Sequence, residues 1–369
     1  MLEYLFIAFI VIFCIQFIYY VFIFGSFSFA KKNPTENNFN LPVSVLICAK
    51  NEAKNLTENL PLFLKQNYPN FELVLINDCS HDRTLKVMEQ FKKETTIPIK
   101  IVDVLANEQF WGSKKYALTL GIKAATHEHL LFTDADCIPV SENWITAMTS
   151  NFDAKHQIIL GYGAYQKIKK SWLNKLIRFE SLLTAIQYFG YAKIGIPYMG
   201  VGRNLAYTKS TFFKVNGFIN HMKIKSGDDD LFINEVATKE NTNISWSQNS
   251  FTESLPKTDF KDWIHQKRRH ISTASFYKPL HKFLLGLFFV SQLLFWILSI
   301  ILLGFLHHWE LVAILVFTRF VILYLVVGYS AKKLNERDLI LFAPFFEIFL
   351  ILTQMFIFIK NKISKPTHW

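Results

Sequence analysis

Residues 43–56 read VSVLICAKNEAKNL. A continuous apolar run of seven residues is followed at once by a segment with apolar positions at helical spacing, continuing through Leu56, Leu60, Phe63 and Leu64. A strand buried on both faces gives such a run. A strand followed by a helix is half of a βαβ unit. The pattern then repeats. FELVLINDCS (71–80) predicts a strand, HDRTLKVMEQFKK (81–93) a helix, IKIVDVL (99–105) a strand, GSKKYALTLGIKAAT (112–126) a helix and HLLFTDADC (129–137) a strand. Alternation of this kind implies an α/β fold with a mostly parallel, Rossmann-like sheet. Ligands of such sheets bind beyond the carboxyl ends of the strands. Asn77-Asp78 and Asp134-Ala135-Asp136 both fall there.

Outward from this core the composition changes. The chain has 369 residues, is 51% hydrophobic and holds 37 Phe, too apolar for an ordinary soluble enzyme, and the excess sits at the two ends. Residues 2–24 are long and apolar enough to cross a bilayer, as are 283–306, 311–329 and 339–359. The first lacks a basic leader and a cleavage site, so it predicts a retained anchor. The expected organisation is an anchor over 1–30, a catalytic domain over 35–275 and a membrane region over 276–369. That region has about three spans, or two plus a re-entrant segment if Pro344 breaks the last. Lys31, Lys32, Lys267, Arg268, Arg269, Lys278 and Lys282 flank the spans on the domain side. This bias predicts a multi-pass protein of the inner (plasma) membrane with its domain in the cytoplasm. A crossing fourth span would put Lys360, Lys362 and Lys365 outside, against the same rule.

The net charge of +11 suits an anionic membrane face. No nucleic-acid-binding pattern accompanies it, so no nucleic-acid partner is expected. Cys14, Cys48, Cys79 and Cys137 form no CxxC pair and read as small buried residues in a reducing compartment. Residues 171–192 predict a helix with Trp172, Leu176, Phe179, Leu183 and Ile186 on one face, packed on the sheet or touching lipid. Residues 260–272, FKDWIHQKRRHIS, predict a basic, aromatic helix suited to a membrane surface.

Several side chains carry chemistry. Asp134 and Asp136 at a strand end offer oxygen ligands to Mg²⁺ or Mn²⁺; a solvated turn is the bland alternative. Asp78 can accept hydrogen bonds from a base or ribose, whereas Asp82 fits a helix cap. Lys114 and Lys115 open a helix whose start can hold phosphate. Asp228, Asp229 and Asp230 crowd a helix start. Like charges raise one pKa toward the range of a general base. Arg319 and Glu347 lie inside predicted spans, where charge usually faces a partner or a cavity. They are expected to pair, or to line a lipid-acceptor or product path.

In order, VSVLICAKNEAKNL, LVLINDCSHDRT, GSKKYALTLGIKAA, LLFTDADC, SGDDDLF and QKRRH resemble the motifs of family 2 glycosyltransferases over roughly 42–275. The resemblance is to the membrane-embedded bacterial branch with cellulose, hyaluronan and poly-N-acetylglucosamine synthases. It implies a GT-A fold and inverting transfer from a nucleotide-sugar, usually a UDP-sugar, to a lipid-linked or saccharide acceptor beside membrane lipids. It implies that Glu52, Asp78 and Lys114 bind the nucleotide-sugar, with Ser113 inserted into the usual spacing. Asp134 and Asp136 match the metal- and diphosphate-binding pair. Asp229 matches the general base beside Asp228. Gln266, Arg269 and His270 match a segment that cradles diphosphate and acceptor. Its usual final Trp is here His270, which weakens a processive polysaccharide synthase as the alternative. A non-catalytic nucleotide-sugar-binding subunit is the alternative of another class. Asp134, Asp136 and Asp229, all present, argue against it.

Overall fold

The computed structural model describes residues 1–31, 41–105, 114–224 and 226–364. In chain order the elements are α1 (Leu2–Ile18), a π-helical stretch (Tyr19–Phe24), α2 (Gly25–Ser28), β1 (Val43–Ala49), α3 (Ala53–Leu64), β2 (Phe71–Asp78), α4 (Thr84–Glu94), β3 (Ile99–Val104) and α5 (Lys114–Ala124). There follow β4 (His129–Asp134), β5 (Cys137–Pro139), α6 (Trp144–Thr149), β6 (Ile158–Leu160), β7 (Gly163–Tyr165), α7 (Trp172–Lys193), β8 (Leu205–Thr208), α8 (Lys209–Lys214), α9 (Asp230–Val236), β9 (Thr242–Ile244) and β10 (Thr252–Ser254). The chain closes with α10 (Phe260–Thr273), α11 (Pro279–Gly304), α12 (Trp309–Lys333), a 3-10 stretch (Arg337–Phe342) and α13 (Ala343–Ile363). Among the described residues these form two compact units. One is 33–169 with 195–257; the other is 1–32, 170–194 and 258–368.

The first unit is built on a seven-stranded sheet of order β3-β2-β1-β4-β8-β6-β9. β3, β2, β1 and β4 run parallel, with Val45 facing Leu73 on one side and Leu131 on the other. β8 turns antiparallel against β4 and β6. Every residue of β1 and β2 is buried, whereas edge strand β3 exposes part of its length. Leu56, Leu60 and Phe63 of α3, Met88 of α4, and Trp144 and Met148 of α6 fill the core over this sheet. The strands and helices expected from the apolar runs therefore hold.

The second unit is helical. Among the described residues four stretches are long and apolar enough to cross a membrane: Leu2–Ser28, Pro279–Gly304, Trp309–Lys333 and Arg337–Ile363. Phe9 stacks on Phe295, and Glu3 meets His307 and His308, so α1 runs antiparallel to α11. Gly190 of α7 lies so close to the π-helical stretch that a Cβ would fall 2.6 Å from the Ile23 carbonyl oxygen.

Four expectations change. Contacts group 170–194 and 258–275 with the apolar helices rather than with the sheet domain expected over 35–275. α7 accordingly packs on α2, α12 and α13. It buries Arg178 and Leu182, while Trp172 is 60% exposed, so no single apolar stripe describes it. Pro344 sits in the first turn of α13 and starts that helix instead of breaking it. Of the cysteines only Cys48 and Cys137 are buried; Cys14 is exposed and Cys79 half-buried. Arg319 and Glu347 do pair, at 2.5 Å, with both side chains almost fully buried. Tyr20, Gln16 and Gln292 complete the cluster. This sealed packing favours the ion pair over a lined path.

Candidate active site

The carboxyl ends of the parallel strands carry the predicted acids to one rim. Its loops are cross-tied by hydrogen bonds. Asn51 N–H donates to Ser80 Oγ, Glu52 N–H to Thr84 Oγ1 and Ala53 N–H to Asp82 Oδ2. Asp82 also accepts from the Thr84 N–H, but the cap position of α4 is Arg83, so Asp82 ties the loop one residue before the cap expected of it. Asp78 is buried at the end of β2. Glu52 is half-buried and accepts from Asn55 Nδ2 at 2.5 Å. Burial, then the charges of Asp136 and Asp134, hold its carboxyl above the usual range.

Lys114 is the hub. Its Nζ lies 2.8 Å from Asp134 Oδ1 and 3.1 Å from Asp228 Oδ2. These two carboxylates raise the ammonium pKa, overcoming the opposing effect of burial. Lys114 likewise holds Asp134 low against burial. Lys114, Asp134, Gly202, Asp228 and Asp229 line one pocket. The buried Cys48 thiol beneath it is pushed up by burial and feels Lys114, Asp78, Asp228 and Asp134. Gly112 and Ser113, the other members of that motif, lie outside the described residues.

Asp229 differs from its neighbour. It caps α9, accepting from the Asp230 N–H at 2.7 Å and from the Gly202 N–H at 2.7 Å. No cation lies within ion-pair distance among the described residues. Burial, then the charges of Asp228 and Asp230, push its pKa to about 7. Such a group is half ionised near neutrality, where a general base works best.

Asp134, Asp136 and Cys137 present ligand atoms within 4.8 Å of one another. Burial pushes the Cys137 thiol well up, so the carboxylates are the natural donors. An all-oxygen pair at a strand end fits Mg²⁺ or Mn²⁺. Asp136, raised by burial and by Asp134, lacks the lysine that Asp134 has.

Arg203 and Gly202 escaped the sequence reading, and Lys115, expected there to help hold phosphate, is instead buried and bonded to backbone carbonyls. Arg203 stacks 4.1 Å over the Tyr165 ring, donates to the Ala164 carbonyl and Ser254 Oγ, and lies in the field of Asp136 and Asp134. Buried Lys115 donates to the carbonyls of His221 and Ile224, bracing the approach to the acid cluster; burial lowers its pKa to about 8. Gly202 supplies the N–H to Asp229, and a Cβ there would stand 3.3 Å from Asp229 Oδ2. The Gly-rich run Gly200-Val201-Gly202 was its visible signal. Gln266, Arg269 and His270 lie on α10 of the helical unit. Arg269 is half-buried and His270 exposed.

The sequence model of the glycosyl transferase family 2 domain matches residues 44–219. Poly-beta-1,6-N-acetyl-D-glucosamine synthase of Staphylococcus epidermidis is 31% identical over 153 residues, 41% of this chain and 33% of that protein. Poly(ribitol-phosphate) beta-N-acetylglucosaminyltransferase TarS of Staphylococcus aureus is 22% identical over 245 residues, 64% of this chain and 38% of that one. The chain thus matches about a third of the length of these curated relatives. A mannosyltransferase from Pyrobaculum calidifontis, solved with GDP-Man and Mn²⁺, shares the fold: TM-score 0.58, 16% identity, 93% of this chain and 98% of that one.

Proposed function

We propose that this chain, whose residues 44–219 form a glycosyl transferase family 2 domain of GT-A fold, is a membrane-bound inverting glycosyltransferase. It would move a sugar from a nucleotide diphosphate donor to a saccharide or lipid-linked acceptor on the cytoplasmic side of the inner membrane. The observation that carries the reading is the division of labour between Asp228 and Asp229. Adjacent in sequence, one is paired with Lys114 while the other is left to titrate near neutrality.

The chemistry follows from that division. Asp229 takes the proton of an acceptor hydroxyl as its oxygen bonds to the anomeric carbon. The bond from that carbon to the diphosphate oxygen breaks on the opposite face, and both electrons leave with the nucleotide. Lys114 offers positive charge to the departing diphosphate. Asp134 and Asp136 would hold a divalent cation, which supplies Lewis-acid stabilisation of the same charge. Asp78 and Glu52 would read base and ribose. Arg269, Gln266 and His270 would serve diphosphate and acceptor.

The test is nucleoside diphosphate release by the detergent-purified protein across a panel of UDP- and GDP-sugars. Native lipids, Mn²⁺ or Mg²⁺ and EDTA controls are included, beside Asp136→Asn. Metal-dependent release with one donor, lost in the variant, is expected. Absence of both nucleotide binding and release across the panel would overturn the reading.

A further inference from the structure

The fourth apolar helix, α13, is 21 residues long, about 31 Å, enough to cross a bilayer. Its contacts within the helical unit say otherwise. Gln292 Nε2 of α11 donates to Glu347 Oε1 at 2.9 Å, and the rings of Phe289 and Phe358 lie 5.5 Å apart. The two α11 positions are about 4.5 Å apart along their axis, and the two α13 positions about 16 Å along theirs. Moreover, the pairing order is reversed: the later α13 residue meets the earlier α11 residue. A helix rising alongside α11 in the same direction cannot do this. α13 therefore crosses α11 steeply.

Both of its ends also lie at one end of the α1–α11–α12 bundle. α13 follows α12 after a short turn, and Lys333 at the foot of α12 donates to the carbonyls of Phe27 and Ala30, at the foot of α2. At its far end, Asn361 accepts from Arg268 Nε at 2.8 Å, and the Ser364 carbonyl accepts from the same guanidinium. Arg268 belongs to α10, which leads directly into the start of α11. The opposite end of the bundle is where Glu3 meets His307 and His308.

What α13 leaves uncovered is apolar. Phe345, Ile348, Leu352, Met355, Ile359 and Ile363 are exposed at intervals of three and four residues, one stripe along the helix. The opposite face holds Phe346, Glu347, Leu350 and Ile357 against the unit.

We infer that α13 lies along the lipid–water boundary at the basic end of the bundle, its apolar stripe in the acyl layer. The chain then has three crossings, and the end of α13 stays on the same side of the membrane as Lys31 and Lys333. The occupant of the stripe is the bilayer, by continuity with the lipid-facing surfaces of α1, α11 and α12 and by charge. Lys31, Lys278, Lys282, Lys332 and Lys333 already gather at that end, and Lys360 and Lys362 now join them. The other end, 1–5 and 305–311, has no Lys or Arg. The conflict that a fourth crossing creates with the positive-inside rule disappears. A helix of this kind, apolar on one side and basic at its end, is suited to an interface.

The experiment is side-specific labelling of single added cysteines in a Cys14→Ala, Cys79→Ala background that keeps only the buried Cys48 and Cys137, each read against that parent. Lys31→Cys, Glu310→Cys and Lys362→Cys are exposed to a membrane-impermeant maleimide in intact spheroplasts, then after permeabilisation. Positions 31 and 362 are expected to stay protected until permeabilisation, while 310 labels at once. Positions 31 and 362 behaving alike and opposite to 310 supports the placement, whichever way the chain faces. Position 362 labelling with 310 would overturn it, as would all three labelling alike. Protease access to an epitope fused after residue 369 gives the same answer without a cysteine.

Discussion

Glu72 and Asp229 are both carboxylates of the sheet unit, set toward opposite ends of its strands, and their surroundings are opposed. Glu72, near the start of β2, accepts from Ser44 Oγ at 2.6 Å, from the Thr126 N–H and from Thr126 Oγ1. Lys100 stands 3.6 Å away. These donors overcome the upward push of burial and hold its carboxyl low. Asp229 has two backbone N–H groups, but its neighbours are Asp228 and Asp230, and its carboxyl rises to about 7. Structural acids are given donors; an acid meant to exchange a proton is given burial and like charge. The helical unit adds a third case. There Glu347 is matched by Arg319, Tyr20 and Gln292 and sealed from solvent.

The contrast predicts graded consequences. Asp229→Asn removes the base and lowers turnover by about 10²–10⁴-fold. Wild-type turnover should rise with pH along a limb centred near 7, and the variant should lack that limb. The stability effect has the opposite sign. A raised folded pKa contributes stability below the unfolded value near 3.8 that is lost as pH rises through about 7. The Asn variant should therefore melt a few degrees higher at pH 8. A melting temperature that fell would break the comparison.

Arg319→Leu leaves Glu347 buried without its cation and should cost about 3–5 kcal/mol. Arg319→Leu with Glu347→Leu should recover most of this, measured by thermal melting in detergent. If each single variant kept both folding and transfer, the ion pair would carry no structural weight. Glu72→Gln should cost about 1–3 kcal/mol at neutral pH by weakening the hydrogen bonds its carboxylate accepts. Its lowered pKa means that stability is present above the unfolded value near 4.5 and lost as pH falls through the folded one. The variant's deficit should therefore shrink in acid. Smallest of all, Gly202→Ala should leave folding intact. By crowding Asp229 it should shift the limb near pH 7, which a pH–rate profile resolves.

Much of this was legible in the chain. β1 and β2 announced themselves because both faces are buried, so LVLI is wholly apolar and VSVLICA is interrupted only by the small Ser44. Asp134, Asp136 and the 228–230 cluster stood out because repelling charges at element ends demand a reason. Arg203 was hidden, and Lys115 was seen but given the wrong task. Their roles depend on Tyr165, Ser254, His221 and Ile224, partners distant in sequence. α7 misled because it is surrounded on several sides within the helical unit, burying Arg178 against Glu336 and Asp338. Composition marks α13 as a span; only its contacts reveal the crossing.

The most direct measurement pairs binding with turnover in Asp229→Asn. Titrate the cleaved nucleotide-sugar donor into wild type and variant with Mn²⁺ present, and follow single-turnover product formation in the same samples. The account predicts donor affinity within a few-fold of wild type and product formation slowed by at least about 100-fold. Turnover within tenfold of wild type at equal binding would contradict the assignment of Asp229 as the base.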